Sequence, residues 1–200
     1  MILAAGTSSR MGRPKQLLLL DGRILLQHVV DLAVRAELDE ILVILGHRAP
    51  EIRERLELPS HGRIVLNEDF ASGQASSLRA GLAAADPEAT AAVVLMGDQP
   101  GLPPHAIRRV LDAYRRTGGP VVRAYYGDVP GHPVVLGRAI WDEAVREGRD
   151  EGARAAFGSH PEWIVIERFE EALPAEVDTP EEFEALKAAR SKSGGEDEGA

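Results

Sequence analysis

Short apolar runs alternate along the chain with longer segments in which apolar residues recur at helical spacing. Strands are predicted over residues 1–5, 40–46, 63–67, 91–98, 120–126, 131–137 and 162–169. Helices are predicted over residues 25–36, 49–58, 73–85, 103–116, 139–147 and 150–157, with a last helix from Thr179. Strands buried on both faces lose the alternation of half-exposed strands. The pattern therefore favours an α/β fold, a three-layer α/β/α sandwich around a mixed, mostly parallel sheet.

The length of the chain fits one domain. Its 200 residues can bury one substantial core, and 44% hydrophobic with 28% charged residues is an ordinary balance for a globular protein. The last ten residues, SKSGGEDEGA, offer no large apolar side chain that could dock against a core. We therefore expect a single domain over residues 1–190 and a disordered tail over residues 191–200.

Composition and charge exclude several classes of function. The chain has no cysteine, which removes disulfides, thiolate nucleophiles and sulfur-ligated zinc and is compatible with the cytoplasm, where we expect the protein. No run approaches the roughly 20 apolar residues that span a bilayer, so a membrane is not expected as a partner. A net charge of −9 without a basic stripe argues against nucleic acid as a partner.

One loop departs from this acidic balance. The stretch LAAGTSSRMGRPKQ, residues 3–16, follows the first predicted strand and gathers two glycines, three consecutive hydroxyl residues and three cations. Glycine lets a backbone turn with its N–H groups exposed, and hydroxyl and cationic side chains pair with phosphate oxygens. Lys15 is the only lysine before residue 187. The loop matches neither a Walker A loop nor the G-x-G-x-x-G fingerprint, but its composition predicts a site for nucleotide phosphates.

Polar residues also follow the third and fourth predicted strands, at Asn67 and Asp98. Ligands of open α/β sheets bind beyond the carboxyl ends of the strands, so we expect these residues and the loop at one edge. Asp98 offers a carboxylate to a hard cation such as Mg²⁺. Ser76 and Ser77 follow Gly73 at the start of a predicted helix, where an anion is favoured, although hydroxyls there can equally cap the helix.

Two further residues have alternative interpretations. Asp178, in VDTPEE, either binds a metal or caps the helix that starts at Thr179. His132, between Gly131 and Pro133, is either a turn residue or a group that titrates near neutrality. The sequence pattern leaves both choices open.

Residues 3–28, LAAGTSSRMGRPKQLLLLDGRILLQH, resemble the signature of nucleotidyltransferases with a glycosyltransferase-A-like α/β fold. Within that group they are most similar to the molybdenum cofactor cytidylyltransferases and their MobA-like relatives. Five further segments resemble the same family in order, as far as about residue 187: NEDFASGQASSLRAGL, MGDQP, GHPVVL, GRDEGARA and VDTPEEF. The resemblance implies a Rossmann-like nucleotidyltransferase fold.

The resemblance also implies a reaction, in which CMP passes from CTP to the molybdopterin cofactor carrying molybdenum and pyrophosphate leaves. The product would serve a xanthine dehydrogenase-like or CO dehydrogenase-like enzyme. The implied catalytic residues are Arg10, Lys15 and Asp98, and Mg²⁺ would be held by Asp98 and Asp178. The implied nucleotide-binding residues add Leu3, Ala4, Ala5, Gly6, Thr7, Ser8, Ser9, Gly12, Asn67, Gly73, Ser76 and Ser77. The implied acceptor-binding residues are Gln99, Pro100, Gly131, His132, Pro133, Asp150 and Arg154.

Three alternatives stay open. Guanylyltransferases of the same family use GTP, but their opening motif is LAGG, where this chain has Ala5. Cytidylyltransferases that act on methylerythritol phosphate share the PKQ feature, yet they carry an Ala-Arg pair where this chain has Gln99 and Pro100. A carrier that delivers the finished molybdenum cofactor without turnover would have little use for a metal–triphosphate site.

Overall fold

A computed structural model describes residues 1–147 and 160–193. The strands are β1 (Ile2–Leu3), β2 (Leu19–Leu20), β3 (Arg23–Ile24), β4 (Ile41–Leu45), β5 (Gly62–Leu66), β6 (Ala91–Met96), β7 (Val121–Tyr126), β8 (Val129–Gly137) and β9 (Ile164–Phe169). The α-helices are α1 (Leu25–Arg35), α2 (Ala49–Arg53), α3 (Gln74–Ala84), α4 (Ala106–Thr117), α5 (Trp141–Glu147) and α6 (Pro180–Ser193). The short helix predicted over residues 150–157 lies outside the described residues.

Seven strands form one sheet in the order β5–β4–β1–β6–β8–β7–β9. β1 lies between β4 and β6 and is parallel to both, with Leu3 opposite Ile44 on one side and Met96 on the other. β8 runs antiparallel to both of its neighbours, β6 and β7, so the sheet is mixed as predicted. The chain places β4 and β5 on one side of β1 and β6 on the other. Strand order therefore reverses beside β1, where open α/β sheets bind their ligands.

Helices cover both faces of this sheet. Side chains alternate along a strand, so the two residues of β1 point to opposite faces: Ile2 packs in the layer of α1 and α4, and Leu3 in the layer of α3 and α5. Each face thereby buries its own apolar layer, which confirms the predicted three-layer arrangement. None of the helices in the described part of the chain has the length and apolar character needed to cross a membrane.

α2 is shorter than the helix predicted over residues 49–58. After Arg53 the chain turns and has no regular secondary structure over residues 56–59, and the buried side chain of Gln27 is hydrogen-bonded to the backbone of Glu57. The amide nitrogen of Gln27 donates to the Glu57 carbonyl at 3.0 Å, and its oxygen accepts from the Glu57 N–H at 2.9 Å. This pairing replaces helical hydrogen bonds. Leu56 and Leu58, which belong to this irregular segment, both pack against the core.

Two other boundaries differ from the prediction. β2 and β3 form a short antiparallel hairpin that was not predicted. Because β3 is followed directly by α1, the apolar residues of the hairpin and of the helix form one continuous pattern in the sequence. α6 continues to Ser193, so residues 191–193 are helical and do not belong to a disordered tail. Arg190 holds the last turns of α6 in place, because its guanidinium donates to the Pro100 carbonyl at 2.8 Å. Residues 194–200 lie outside the described part of the chain.

The carboxyl ends of β1 and β6 approach closely at Gly97. Its N–H donates to the Leu3 carbonyl at 2.9 Å, and a Cβ at this position would lie 2.8 Å from the Cβ of Ala4. A side chain larger than hydrogen would have to push the two strand ends apart. The contact places Asp98, the next residue, beside the loop that follows β1.

Replacing Gly97 with Ala should lower the free energy of unfolding by about 1–3 kcal/mol, the usual cost of overpacking a filled interior. Gly101→Ala is the matched control, because a Cβ there meets no atom within 4 Å, and it should change stability by less than about 0.5 kcal/mol. Urea denaturation of the two variants measures the difference. Equal stabilities would show that the strand ends are not tightly packed at Gly97.

Candidate active site

The loop after β1 is held in shape by the buried side chain of Gln16. The Gln16 amide nitrogen donates to the carbonyls of Ala4, at 2.8 Å, and Gly6, at 3.3 Å, and its oxygen accepts from the Ser8 hydroxyl at 3.4 Å. The same hydroxyl accepts the backbone N–H of Lys15 at 3.1 Å. Gln16 was not predicted as a site residue, because a single polar residue before an apolar run carries no periodic signal.

This arrangement leaves backbone N–H groups of the loop free to donate hydrogen bonds to a ligand. The N–H groups of residues 6–10 donate no hydrogen bond to any residue that the structure describes. Ser8 has a φ of 54°, in the left-handed region that costs a non-glycine residue about 1 kcal/mol or more. Strained residues of this kind cluster at ligand sites. The loop therefore presents a row of donors at the sheet edge, an arrangement that binds anions.

Lys15 joins two carboxylates that are distant in the sequence. Its ammonium donates to Asp98 Oδ2 at 2.5 Å and to Asp178 Oδ1 at 2.7 Å. Arg10 donates to the other oxygen of Asp178, at 2.7 Å. The side chains of Lys15 and Asp98 are only 13% and 11% exposed, whereas that of Arg10 is 69% exposed. The structure thus assembles two cations and two anions from three parts of the chain, and solvent is largely excluded from the Lys15–Asp98 pair.

The cap of α6 is formed by residues other than Asp178. The Thr179 hydroxyl accepts the N–H of Glu182 at 3.2 Å, and the Glu182 carboxylate accepts the N–H groups of Asp178 and Thr179 at 2.7 and 2.9 Å. This is a capping box, and its signature is present in the sequence as Thr-Pro-Glu-Glu. The Asp178 side chain is thereby left to face Lys15 and Arg10 instead of capping the helix.

The ion pairs shift the pKa values of both partners. Burial disfavours the charge of Lys15, but attraction to Asp98 and hydrogen bonds to both carboxylates outweigh it, so the pKa of Lys15 is raised above its ordinary 10.5. The hydrogen bond from Lys15, aided by the charges of Lys15 and Arg10 and opposed by burial, lowers the pKa of Asp178 below its ordinary 3.8. Both groups are therefore charged at neutral pH.

The two carboxylates fit a divalent cation. Asp98 Oδ1 is buried and has no hydrogen-bond partner among the described residues, which is unfavourable for a carboxylate unless a cation or donor faces it. Mg²⁺ takes oxygen ligands, commonly one or two carboxylates completed by phosphates and water. Within residues 1–147 and 160–193, no group of three or more histidine, aspartate or glutamate side chains is placed to hold a metal ion. A metal at Asp98 and Asp178 would therefore need oxygen ligands from a bound molecule.

A cavity of about 360 Å³ opens beside this cluster. The predicted nucleotide-binding residues that line it are Leu3, Ala4, Ala5, Gly6, Thr7, Lys15, Gly73, Ser77 and Asp98. Asn67 and Ser76 support the cavity wall: the Asn67 amide donates to the hydroxyls of Ser76 and Ser77 at 2.8 and 3.1 Å, and Ser76 donates to the Gly73 carbonyl at 2.7 Å. Ser76 thus closes the start of α3, and the neighbouring Ser77 faces the cavity.

Phe70 lines the same cavity and was not predicted from the sequence. It packs so closely over the end of β4 that a Cβ at Gly46 would lie 2.5 Å from the Phe70 Cβ and 3.0 Å from the Ala5 Cβ. Ala5 and Phe70 both line the cavity, and the lack of a side chain at Gly46 lets them pack closely behind it. Phe70 lies in a short 3₁₀ turn, so neither helical nor strand periodicity marked it.

The predicted acceptor-binding residues are partly described. Gln99 is buried, and its amide donates to Glu176 at 3.3 Å while its own oxygen has no hydrogen-bond partner among the described residues. The carbonyl of Pro100 is tied to Arg190 of α6. Asp150 and Arg154 lie outside the described residues.

β8 brings the remaining acceptor candidates, residues 131–133, towards the same sheet edge. Val134 pairs with Val94 of β6 in an antiparallel register, so the residues before Val134 run towards the carboxyl end of β6, where Asp98 follows. The carbonyl of His132 accepts a hydrogen bond from the Tyr126 hydroxyl at 2.8 Å. The structure thus sets this segment next to the strand that leads to Asp98.

Comparisons with known proteins agree with this geometry. Residues 1–163 match the family model described as MobA-like NTP transferase domain. Nicotine blue oxidoreductase of Paenarthrobacter nicotinovorans is 34% identical over 197 residues, covering 93% of this chain and 94% of that protein. The molybdenum cofactor cytidylyltransferase of Escherichia coli K12 is 29% identical over 189 residues, covering 94% of each. The crystal structure of Rv0371c from Mycobacterium tuberculosis H37Rv in complex with manganese is 30% identical, with a TM-score of 0.80 over 94% of this chain and 96% of that one.

Replacing Gln16 with Leu should weaken the binding of a nucleoside triphosphate roughly tenfold, because hydrogen bonds of about 0.5–1.5 kcal/mol each would no longer hold the loop. Gln27→Leu is the matched control, since it removes a similarly buried glutamine that also holds backbone groups, but beside α2. Calorimetric titration with Mg–CTP compares the two. Equal affinities would show that Gln16 does not shape the binding loop.

The Asp178→Asn variant should be roughly 1–2 kcal/mol less stable than the wild type at pH 6, since it loses charged hydrogen bonds. Because the pKa of Asp178 is lowered on folding, its contribution is present above pH 3.8 and is lost as the pH falls through the folded value. The deficit should therefore shrink as the pH falls below about 4 in urea titrations. Asp128→Asn, at an exposed pair with Arg168, is the control and should show no such trend. A deficit that does not shrink as the pH falls below about 4 would contradict the ion-pair account.

Proposed function

The chain belongs to the MobA-like NTP transferase family, and on that premise we propose that it transfers CMP from CTP to a molybdopterin-type acceptor and releases pyrophosphate. The observation that carries the proposal is the cluster of Lys15, Asp98 and Asp178 beside a loop of available amides. A triphosphate with a divalent cation complements this cluster in both charge and ligand type.

We propose the following roles for the residues of the site. The amides of residues 6–10 and the side chains of Arg10 and Lys15 hold the phosphates, and Asp98 and Asp178 hold Mg²⁺. When bound, Mg²⁺ supplies positive charge that offsets charge on the phosphates. A phosphate oxygen of the acceptor attacks the α-phosphorus in line, and the bond to the bridging oxygen of pyrophosphate breaks. The protein positions the reactants and stabilises charge, without forming a covalent intermediate.

The proposed preference for CTP is supported by Ala5, which lines the cavity. Its methyl group lies beside Gly46, so Ala5 leaves less room for a base than glycine would. A pyrimidine needs less space than a purine. We therefore propose cytosine over guanine, and we expect Ala5→Gly to raise the relative use of GTP, whereas Ala4→Gly, whose methyl packs against Gly97, should not.

The acceptor is proposed from the relative in Escherichia coli, whose name states that it is a molybdenum cofactor cytidylyltransferase. The acceptor would approach the sheet edge at which Gln99 and residues 131–133 lie. The side-chain oxygen of Gln99 accepts no hydrogen bond from the described residues, so it could accept one from the acceptor. The product would then pass to a xanthine dehydrogenase-like molybdoenzyme, in the cytoplasm.

A second candidate is an oxidoreductase, the activity named for the relative in Paenarthrobacter, which is 34% identical to this chain. The cluster of Lys15, Asp98 and Asp178 weighs against it. An oxidoreductase transfers electrons and releases no pyrophosphate. The pairing of Lys15 with two carboxylates in a shielded site would then have no charged leaving group to stabilise. A carrier without turnover is a third candidate, and the same consideration applies to it.

The test is a panel of CTP, GTP, ATP and UTP with Mg²⁺ and molybdopterin carrying molybdenum, followed by pyrophosphate release and product mass. We expect a CMP adduct with CTP, and we expect Asp98→Asn to lower the rate at least about a hundredfold, as loss of a main electrostatic group does. The control is Asp128→Asn, whose exposed carboxylate lies in a separate pair with Arg168.

The other outcomes separate the candidates. A GMP adduct would assign the protein to the guanylyltransferases of the family. No pyrophosphate release with any nucleotide, together with no binding of the finished cofactor, would favour the oxidoreductase. Tight binding of the finished cofactor with no turnover of any nucleotide would favour a carrier.

A further inference from the structure

We propose that the ammonium of Lys15 occupies the place between Asp98 and Asp178 that a divalent cation takes in the nucleotide complex, so that the site rejects free metal and accepts metal together with a triphosphate. The inference rests on the metal–triphosphate site of the proposed function. It does not depend on the base of the nucleotide or on the acceptor. It concerns the order in which the site can be filled.

The contacts of Lys15 are those of a bridging cation. One nitrogen lies 2.5 Å from a carboxylate oxygen of Asp98 and 2.7 Å from one of Asp178. Two carboxylates this close together repel each other unless a positive charge lies between them. Lys15 supplies that charge in the protein alone, and a metal ion would have to contact the same two side chains.

The charges allow one bridging cation at a time. Arg10 and Lys15 balance Asp98 and Asp178, so the cluster of four side chains has no net charge. A divalent ion that entered with Lys15 still in place would meet an ammonium at contact distance in a site shielded from solvent, where repulsion is stronger than in water. Free metal must therefore displace Lys15, and without a phosphate the ammonium would find no anion other than Asp98 among the described residues that line the cavity.

A triphosphate removes this obstacle. The cavity next to the cluster is lined by Lys15, Gly6 and Thr7, so phosphates held by the loop would offer new anionic partners to the ammonium. The backbone of Lys15 need not move, because its N–H is held by Ser8 and the next residue, Gln16, is held by the loop carbonyls. Only the flexible side chain changes partner. The two aspartates are then available to the metal that the phosphates bring with them.

The choice of residue agrees with this role. The chain has three lysines, at 15, 187 and 192, and 20 arginines. An ammonium is a compact charge that turns freely on its stem, whereas a guanidinium is a planar fork that favours fixed bidentate pairs. Lysine therefore suits this role better than arginine, because its ammonium can bridge two carboxylates and then move to a phosphate.

The experiment measures binding of Mn²⁺ alone, by electron paramagnetic resonance of the free ion, to nucleotide-free protein at neutral pH. Wild type should bind weakly. Lys15→Met should bind at least about tenfold more tightly, because the competing charge is gone while both carboxylates remain. Lys15→Arg keeps the charge and should stay weak, and Lys15→Met with Asp98→Asn should lose the gain. Equal or weaker binding of Mn²⁺ by Lys15→Met than by wild type would overturn the proposal.

A second measurement uses the wild type, so it does not depend on the folding of a variant. With only three lysines, the ¹⁵N-labelled side-chain ammonium resonances can be assigned by substitution. The Lys15 resonance should persist with millimolar Mg²⁺ alone and shift when Mg²⁺ is added with an α,β-methylene analogue of CTP. A shift with Mg²⁺ alone would overturn the proposal. Neither measurement involves turnover, so failure to transfer CMP would leave this inference standing, and the reverse also holds.

Discussion

The ion pairs of Lys15 join the loop after β1 to carboxylates 83 and 163 residues further along the chain. Neighbouring residues fix the position of each partner: the side chain of Gln16 shapes the loop that carries Lys15, and Gly97 lets the end of β6 pack closely against β1. The N–H of Val177 donates to the Asp98 carbonyl at 3.1 Å, which brings the next residue, Asp178, within reach of Lys15. Precise placement matters, because removing one partner of a shielded pair leaves a lone charge, at a cost of about 3–5 kcal/mol.

Much of the fold could be predicted from hydrophobic pattern, because buried parallel strands and amphipathic helices leave strong signals. The sheet edge followed from the same pattern, since polar residues such as Asp98 end apolar runs. Single buried polar side chains were harder. Gln27 is hydrogen-bonded to the backbone of Glu57, beyond the early end of α2, and Gln16 shapes the loop after β1. Neither residue changes the hydrophobic periodicity around it. Such side chains act through contacts that are distant in sequence, which one sequence cannot reveal.

Asp178 shows how a local signal and a distant one combine. Its position before α6 suits a cap, and the sequence left that role open. The capping box of Thr179 and Glu182 satisfies the start of the helix, so the Asp178 carboxylate is available to Lys15 and Arg10. The signal for the box was present in the sequence, and only its consequence for Asp178 required the three-dimensional structure.

Membership of the MobA-like NTP transferase family narrows the chemistry without fixing the substrate, since the relatives include both a cytidylyltransferase and a protein named as an oxidoreductase. The choice between them depends on what the cluster binds. The most direct measurement is a crystal structure with Mn²⁺ and α,β-methylene CTP, in which the anomalous signal locates the metal. We predict Mn²⁺ in contact with Asp98 and Asp178, phosphates on the amides of residues 6–10, and the Lys15 ammonium moved from the carboxylates to a phosphate. Phosphates bound away from the loop, or Mn²⁺ at other residues, would contradict the account.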